Sequence, residues 1–265
     1  MLYSQQIGGI QMLLRRVVAH LRKQEWTAIA IDFVIVVVGV FVGLQVSNWN
    51  EERGERAKEA FTIAALRSDF QALDFSVSHG VCYHRRALDG LQVVAEALDA
   101  GRLDPEVEGR FENGLRFGYM NSSSKKASGA LSELLSSGNM GLLGDPALRA
   151  ALIDYEGFRE TAARSGDEFR LIANNYTRSF TDRFDYDLQR DHVRSDQKSR
   201  LAFRYSAIGA YDFDAMLADR EFREAVFELR EVQRVFLQWE EASLRRVREI
   251  QRMLGDEPLD EVRCL

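Results

Sequence analysis

The segment Ala28–Val46 reads AIAIDFVIVVVGVFVGLQV and is apolar except for Asp32 and Gln45. As an α-helix it would be roughly 28 Å long, which is close to the ~30 Å hydrocarbon thickness of a bilayer. Valine and isoleucine also suit a buried strand, but strands in soluble proteins rarely run this long. The sequence therefore predicts a transmembrane helix, with a buried core helix of a soluble protein as the alternative.

Two tryptophans bracket this segment. Trp26 and Trp49 would lie about 34 Å apart on a helix, where the aromatic belts of a membrane protein are found. The apolar stretch is longer than the ~7–15 residues of a signal peptide, and no small-x-small cleavage site follows it. We therefore expect residues 26–49 to form a retained transmembrane anchor with both tryptophans at the membrane interfaces.

The basic residues on the two sides of the anchor predict its orientation. Within about 20 residues of the segment Ala28–Val46, four precede it and three follow it: Arg15, Arg16, Arg22 and Lys23 before, and Arg53, Arg56 and Lys58 after. By the positive-inside rule this count favours a cytoplasmic N-terminus. Residues 1–25 are then a cytoplasmic basic segment, either an amphipathic helix on the membrane surface or an extension of the anchor. Residues 50–265 are expected outside the cytoplasmic membrane.

Three residues within the anchor suggest contacts inside the membrane. Asp32 would lie about 9 Å along the helix from Trp26, where it is either a partner contact or proton site, or a shallow carboxylate that reaches the headgroups. Gly39 and Gly43 form a G-x-x-x-G pattern, which allows two helices to approach closely. The pattern predicts a homodimer through this helix, although it also occurs by chance.

Two stretches carry a resemblance to a known family. Residues 39–51, GVFVGLQVSNWNE, resemble the anchor signature of bacterial single-pass membrane proteins in which an apolar helix ends in Leu-Gln-x-x-Asn-Trp-Asn. Residues 133–155 are similar to a second family segment, a Glu-Leu-x-Ser-(Ser/Thr)-Gly-Asn stretch before a helix that ends in paired tyrosines; here Tyr155 is followed by Glu156. That family has no established activity. The resemblance implies a location in the bacterial inner membrane, with the large domain in the periplasm. It also implies an architecture of one N-terminal membrane helix followed by that domain.

The rest of the chain has helical periodicity, and we predict an all-α bundle of five to seven helices. Gly138 predicts a helix end, and Asp145 with Pro146 predicts the next helix start. Residues 219–254 are expected to form a long last helix that packs on the first. Residues 181–212 are charged and aperiodic, which predicts an irregular segment, while Gly80 and Gly90 are candidate bends. The apolar stripe expected on the first helix comprises Phe61, Ala65, Leu66, Phe70, Leu73 and Val77.

No pattern of catalytic or metal-binding residues is apparent. The net charge of −6 argues against a general nucleic-acid binder, which needs a basic surface. His79 and His84 are five residues apart, so they lack the spacing of a helical zinc site and are interpreted as surface or cap histidines. We predict neither cofactor nor metal. The favoured function is a non-catalytic binding domain for an unidentified protein partner, with a ligand sensor or an unfamiliar membrane-anchored enzyme as alternatives.

The chain has two cysteines, Cys82 and Cys264, and both fall in the part expected outside the cytoplasm. Disulfides persist in such oxidising compartments. We hypothesise a bridge between them, although the sequence alone does not show whether the two thiols are within reach.

Overall fold

The computed structural model describes residues 26–121, 127–196, 201–258, 262 and 264. The predicted cytoplasmic segment 1–25 lies outside this range. The chain forms two compact units, Met1–Lys58 and Glu59–Leu265. Because most of the described chain is helical, the all-α prediction is confirmed.

Six α-helices and one β-hairpin make up the described chain, with short 3-10 turns at Pro105–Val107 and Asn139–Leu142. The helices are α1 (Trp26–Ala100), α2 (Glu108–Phe117), α3 (Gly129–Ser136), α4 (Pro146–Thr181), α5 (Phe213–Ala218) and α6 (Arg220–Met253). The strands of the hairpin are β1 (Phe184–Asp196) and β2 (Leu201–Tyr211).

Helices α1 and α6 pack against each other in antiparallel orientation within the domain Glu59–Leu265. Gln251 near the end of α6 hydrogen-bonds to the carbonyl of Phe70, whereas Arg223 near its start hydrogen-bonds to Asp99. Between these points, Leu244 shares a small apolar cluster with α1. The predicted pairing of the first and last long helices is therefore confirmed.

The domain has two main apolar clusters. One joins the end of α1 to α2, the hairpin and the start of α6; the other joins Leu66, Phe70 and Leu73 to α3, the start of α4 and the end of α6. Phe61 was expected to belong to the same stripe as Leu66, and this expectation is wrong, because its side chain is 78% exposed. The contribution of α1 to the second cluster begins at Ile63, so Phe61 falls just before it.

The predicted helical hairpin around residues 138–146 is present. Gly138 has the left-handed backbone conformation, with φ 70° and ψ 14°, that suits glycine after a helix. Asp145 caps α4 by accepting a hydrogen bond from the Ala147 N–H at 2.8 Å, and Pro146 occupies the first helical position. Gly138, Asp145 and Pro146 therefore form the helix end and the helix start that the sequence predicts.

Two carboxylates of α1 attach this hairpin to the rest of the domain. Asp69 accepts hydrogen bonds from the Ser128 hydroxyl at 2.8 Å and from the Ala130 N–H at 3.0 Å, at the start of α3. Glu59 accepts a hydrogen bond from the Gly144 N–H at 2.6 Å. Each carboxylate satisfies a backbone donor just before or within the first turn of a helix, where such donors lack a helical partner.

Within the segment predicted to be irregular, residues 181–212, the strands Phe184–Asp196 and Leu201–Tyr211 instead pair in antiparallel orientation. Phe184 pairs with Tyr211 and Tyr186 with Ile208, with register shifts between Asp185 and Tyr186 and between Asp187 and Asp191. Phe184 and Ile208 are buried. The apolar-polar alternation in the first residues of β1 is a strand signal, but the high charge of the segment obscured it.

Gly90, a candidate bend in the sequence, lies at the contact between α1 and α2. The helix continues through this position, and the backbone of α2 lies directly against it. A Cβ atom on Gly90 would lie 2.3 Å from the nitrogen of Gly114. Glycine is therefore required here by the close approach of two helices and not by an unusual backbone conformation.

Candidate membrane anchor and binding sites

The segment from Ile31 to Val46 exposes its large apolar side chains on every side of α1. These side chains are between 48% and 68% exposed. Six of them are consecutive, from Phe33 to Val38, and successive helical positions differ by about 100°, so they face all directions. A surface helix of a globular protein has a polar face, and this segment has none.

Among the described residues, one helix is long and apolar enough to cross a membrane, as judged by length and composition. Its most apolar window has a mean hydropathy of 2.3, and none of that window is buried. This helix is α1, and the apolar window coincides with the segment that the sequence marked as an anchor. The prediction of a candidate membrane-spanning helix near the N-terminus is therefore confirmed.

The structure places all of the predicted anchor residues on α1. Trp26 begins the helix, Ala28 follows within its first turn, and Asp32 and Val46 are exposed. Trp49 is 62% exposed, with the guanidinium of Arg53 at 5.9 Å from the centre of its ring.

Gly39 and Gly43 are one helical turn apart and so share a face of α1. A Cβ atom added at either position would meet nothing within 4 Å. The two glycines therefore leave a flat, open strip on the surface of the helix.

Cys82 and Cys264 form a disulfide. Their sulfur atoms are 2.05 Å apart and their Cα atoms 5.3 Å apart, across a sequence separation of 182 residues. Cys82 lies on α1, so the bond fixes the C-terminal end of the chain against this helix. Val262 lies in the same region and packs on the apolar cluster of Val77, Val81 and Leu244.

Beside the disulfide, α1 and α6 enclose a cleft of about 840 Å³. Its lining combines three apolar side chains with four arginines and two glutamates: Val81, Leu244 and Val262; Arg85, Arg245, Arg248 and Arg252; Glu241 and Glu249. Arg85 pairs with Glu241 at 2.8 Å, and Arg248 lies 3.5 Å from Asp74. We call this feature the arginine cleft.

His84 is fully buried, so its interpretation as a surface or cap histidine is wrong. Its Nδ1 lies 2.7 Å from Oε1 of Gln233, while Nε2 of Gln233 donates to the carbonyls of Gly118 at 2.8 Å and Met120 at 2.9 Å. Because the amide hydrogens of Gln233 serve two carbonyls, its oxygen must be the acceptor for His84. Nδ1 of His84 therefore carries a proton, and the network joins α1, α6 and the turn after α2.

The shifted pKa values of the domain arise from packing and ion pairs. Burial raises the pKa of Tyr155 to about 12, and burial together with a 2.6 Å hydrogen bond to Tyr119 raises the pKa of Tyr186. Although burial alone would raise it, the hydrogen bond from Arg183 lowers the pKa of Asp219. None of these three groups lines the arginine cleft.

Within the described ranges, no group of three or more histidine, cysteine, aspartate or glutamate side chains is arranged to hold a metal ion. Comparison with protein-family models, with curated proteins and with solved structures found no match for this chain. Membership of the anchor family therefore stays a prediction.

Proposed function

We propose that this chain is a single-pass membrane protein whose domain Glu59–Leu265 is a non-catalytic binding domain outside the cytoplasm. The observation that carries the proposal is the apolar segment Ile31–Val46, whose large side chains are exposed on every side of α1. Only lipid or an extended apolar partner can cover them. Its length matches the hydrocarbon thickness of a bilayer, which favours lipid.

The free energy of insertion supports this reading. Twelve large apolar residues between Ile31 and Val46 are exposed. At about −0.3 to −0.6 kcal/mol each, they favour the membrane by roughly 4–7 kcal/mol. Asp32 opposes insertion by about 2.5–3.5 kcal/mol at the centre of a span, and by less near its end, where the carboxylate reaches the headgroups. The balance favours a helix that crosses the membrane.

The disulfide and the flanking charges support the side of the membrane that we propose. A bond between Cys82 and Cys264 persists in an oxidising compartment and is reduced in the cytoplasm of most bacteria. The basic residues favour a cytoplasmic N-terminus by four to three. Both favour a domain outside the cytoplasm. Together with the resemblance of the anchor to that of bacterial single-pass proteins, they support our proposal of the bacterial inner membrane, with the domain in the periplasm.

The open strip at Gly39 and Gly43 supports pairing of two copies through the membrane helix, because small residues allow close packing of helices in lipid. For the domain, the arginine cleft favours a second candidate within the same class, a domain that senses a ligand. We also propose that the domain binds an unidentified protein partner, as expected from the sequence.

Carbonate extraction tests the anchor. Membranes from cells that express the full chain should retain it at alkaline pH, whereas a variant with Val37→Arg and Val40→Arg should move to the supernatant. The matched variant with Val37→Leu and Val40→Leu should stay in the membrane. Release of the unmodified chain by carbonate would refute the proposal.

A membrane-impermeant maleimide tests the side of the membrane. In the Cys82→Ser variant, Cys264 keeps a free and exposed thiol. We expect this thiol to be labelled in intact spheroplasts. Labelling only after the spheroplasts are lysed would place the domain in the cytoplasm and refute the proposed topology.

A further inference from the structure

We infer that the arginine cleft binds a small organic anion, with a phosphate or carboxylate group on the guanidinium groups and an apolar body against Val262. The inference deepens the binding role proposed for the domain and does not depend on the membrane anchor. Failure of the binding experiment below would leave the carbonate result unaffected, so the two proposals fail separately.

The local charge of the cleft is opposite to that of the chain. Among the described residues, four arginines and two glutamates line the cleft, and Asp74 lies against Arg248 beside it. These groups leave an excess of one positive charge, whereas the whole chain has a net charge of −6. A cleft of one charge sign concentrates ligands of the opposite sign. Guanidinium groups also match the planar, bidentate geometry of carboxylate and phosphate oxygens.

The arginines of the cleft differ in how far they are already engaged. Arg85 pairs with Glu241, and Arg248 lies near Asp74. Arg245 is exposed and forms no hydrogen bond or ion pair with the part of the chain that the structure describes. Its guanidinium is therefore available to an anion that enters the cleft.

The spacing on α6 places the arginines on one side of the helix. Arg245, Arg248 and Arg252 follow each other at intervals of three and four residues, so they share a face. An arginine in the last turn of a helix stabilises the partial negative charge at the C-terminal end of that helix. Because α6 ends at Met253, this effect explains the position of Arg252 alone. Arg245 and Arg248 lie too far from that end for this explanation.

The apolar side of the cleft adds selectivity. Val81 and Leu244 are buried, and Val262 packs against them. Val262 is therefore the partly exposed apolar side chain of the lining. An inorganic anion would leave the exposed part of Val262 in contact with water, whereas an anion with an apolar group would cover it. We therefore expect organic phosphates or carboxylates to bind more tightly than inorganic phosphate.

The disulfide holds part of this wall in place. Cys264 is two residues after Val262, and its partner Cys82 is three residues before Arg85. Reduction removes the covalent attachment of the chain end that carries Val262. We expect reduction to weaken binding of an organic anion more than binding of inorganic phosphate, since the lost contact is apolar.

Calorimetric titration of the full chain in nanodiscs of zwitterionic lipid tests the inference. We expect saturable binding of phenyl phosphate, weaker binding of inorganic phosphate and no binding of phenol. Arg245→Gln should weaken the binding of phenyl phosphate about tenfold, as expected for the loss of one charge-assisted hydrogen bond. Arg220→Gln is the matched control, because Arg220 is exposed at the opposite end of the same helix.

A second variant changes affinity in the opposite direction. Glu249→Gln removes a negative charge from the lining of the cleft and should strengthen the binding of phenyl phosphate severalfold. The inference is overturned if phenyl phosphate does not bind saturably at millimolar concentration. It is also overturned if Arg245→Gln and Arg220→Gln have equal affinities, or if Glu249→Gln binds more weakly than the unmodified chain.

The lipid composition of the nanodisc distinguishes the source of the anion. If the natural ligand is the headgroup of an anionic lipid, nanodiscs with phosphatidylglycerol should compete with phenyl phosphate and lower its apparent affinity. Equal affinity in both kinds of nanodisc identifies a free organic anion as the ligand.

Discussion

Replacement of Gly114 by alanine tests the direct backbone contact between α1 and α2. A Cβ atom at this position would lie 2.5 Å from the carbonyl carbon and oxygen of Gly90 and 2.9 Å from Cγ2 of Val94. Ordinary van der Waals contacts begin near 3.4 Å. The new methyl group would therefore overlap the backbone of α1 by roughly 1 Å, a typical misfit of overpacked cores.

The size of the effect follows from two opposing terms. Overpacking typically costs about 1–3 kcal/mol, and the upper end applies here because a backbone cannot rotate away as a side chain does. Alanine is a better helix former than glycine by about 1 kcal/mol, which offsets part of this cost. We expect Gly114→Ala to lower the free energy of unfolding by about 2 kcal/mol.

Gly157→Ala is the matched control. Gly157 lies inside α4, is exposed, and has nothing within 4 Å of an added Cβ atom. Only the helix propensity changes, so this variant should gain about 0.5–1 kcal/mol. The same substitution is thus expected to lower the free energy of unfolding at Gly114 and to raise it at Gly157.

Thermal unfolding in detergent, followed by far-UV circular dichroism, measures both effects. In a domain of this size, 1 kcal/mol corresponds to a change in Tm of about 2–4 °C. Gly114→Ala should lower the Tm by about 4–8 °C, and Gly157→Ala should raise it by about 1–4 °C. A Tm of Gly114→Ala at or above that of the unmodified chain would show that the two helices do not cross in backbone contact.

Three further variants test the polar core, a buried phenol and a helix cap. Gln233→Leu removes the donor to the carbonyls of Gly118 and Met120, and should cost at least about 2 kcal/mol in urea unfolding. Because burial raises the pKa of Tyr155 to about 12, the unfolded state ionises first, so the stabilisation from this phenol is complete below about pH 10 and is lost as the pH rises towards 12. Tyr155→Phe should therefore reduce the fall in Tm between about pH 10 and 12. Ser128→Ala removes the acceptor for the Leu131 N–H and should cost about 1 kcal/mol, measured by the same denaturation.

The features predicted correctly from the sequence depend on neighbouring residues. Gly138, Asp145 and Pro146 specify a turn and a helix start through backbone preferences that act within a few positions. The long helix α6 follows from apolar periodicity, which is also a local signal. These features do not require knowledge of which parts of the chain meet.

The features that the sequence did not reveal depend on distant residues. His84 and Gln233 are 149 positions apart, so the hydrogen bond between them cannot be recognised from the residues around either one. The contact of Gly90 with Gly114 was not predicted because Gly114 belongs to another helix. The arginine cleft likewise requires α1 and α6 to come together, so its charge cannot be recognised from either helix alone.

The disulfide links the stability of the domain to its proposed location. It closes a loop with a sequence separation of 182 residues, and a native bridge of this kind typically stabilises by about 2–4 kcal/mol. A domain of ordinary stability has only about 5–15 kcal/mol in total, so loss of the bond would remove a large fraction. We therefore expect the same chain, retained in a reducing cytoplasm by deletion of residues 1–49, to be degraded faster than the exported form. A Cys82→Ser, Cys264→Ser double variant should remove this difference when both forms are compared by pulse-chase. Equal lifetimes of the unmodified chain in the two compartments would show that the bond contributes little to the domain's stability.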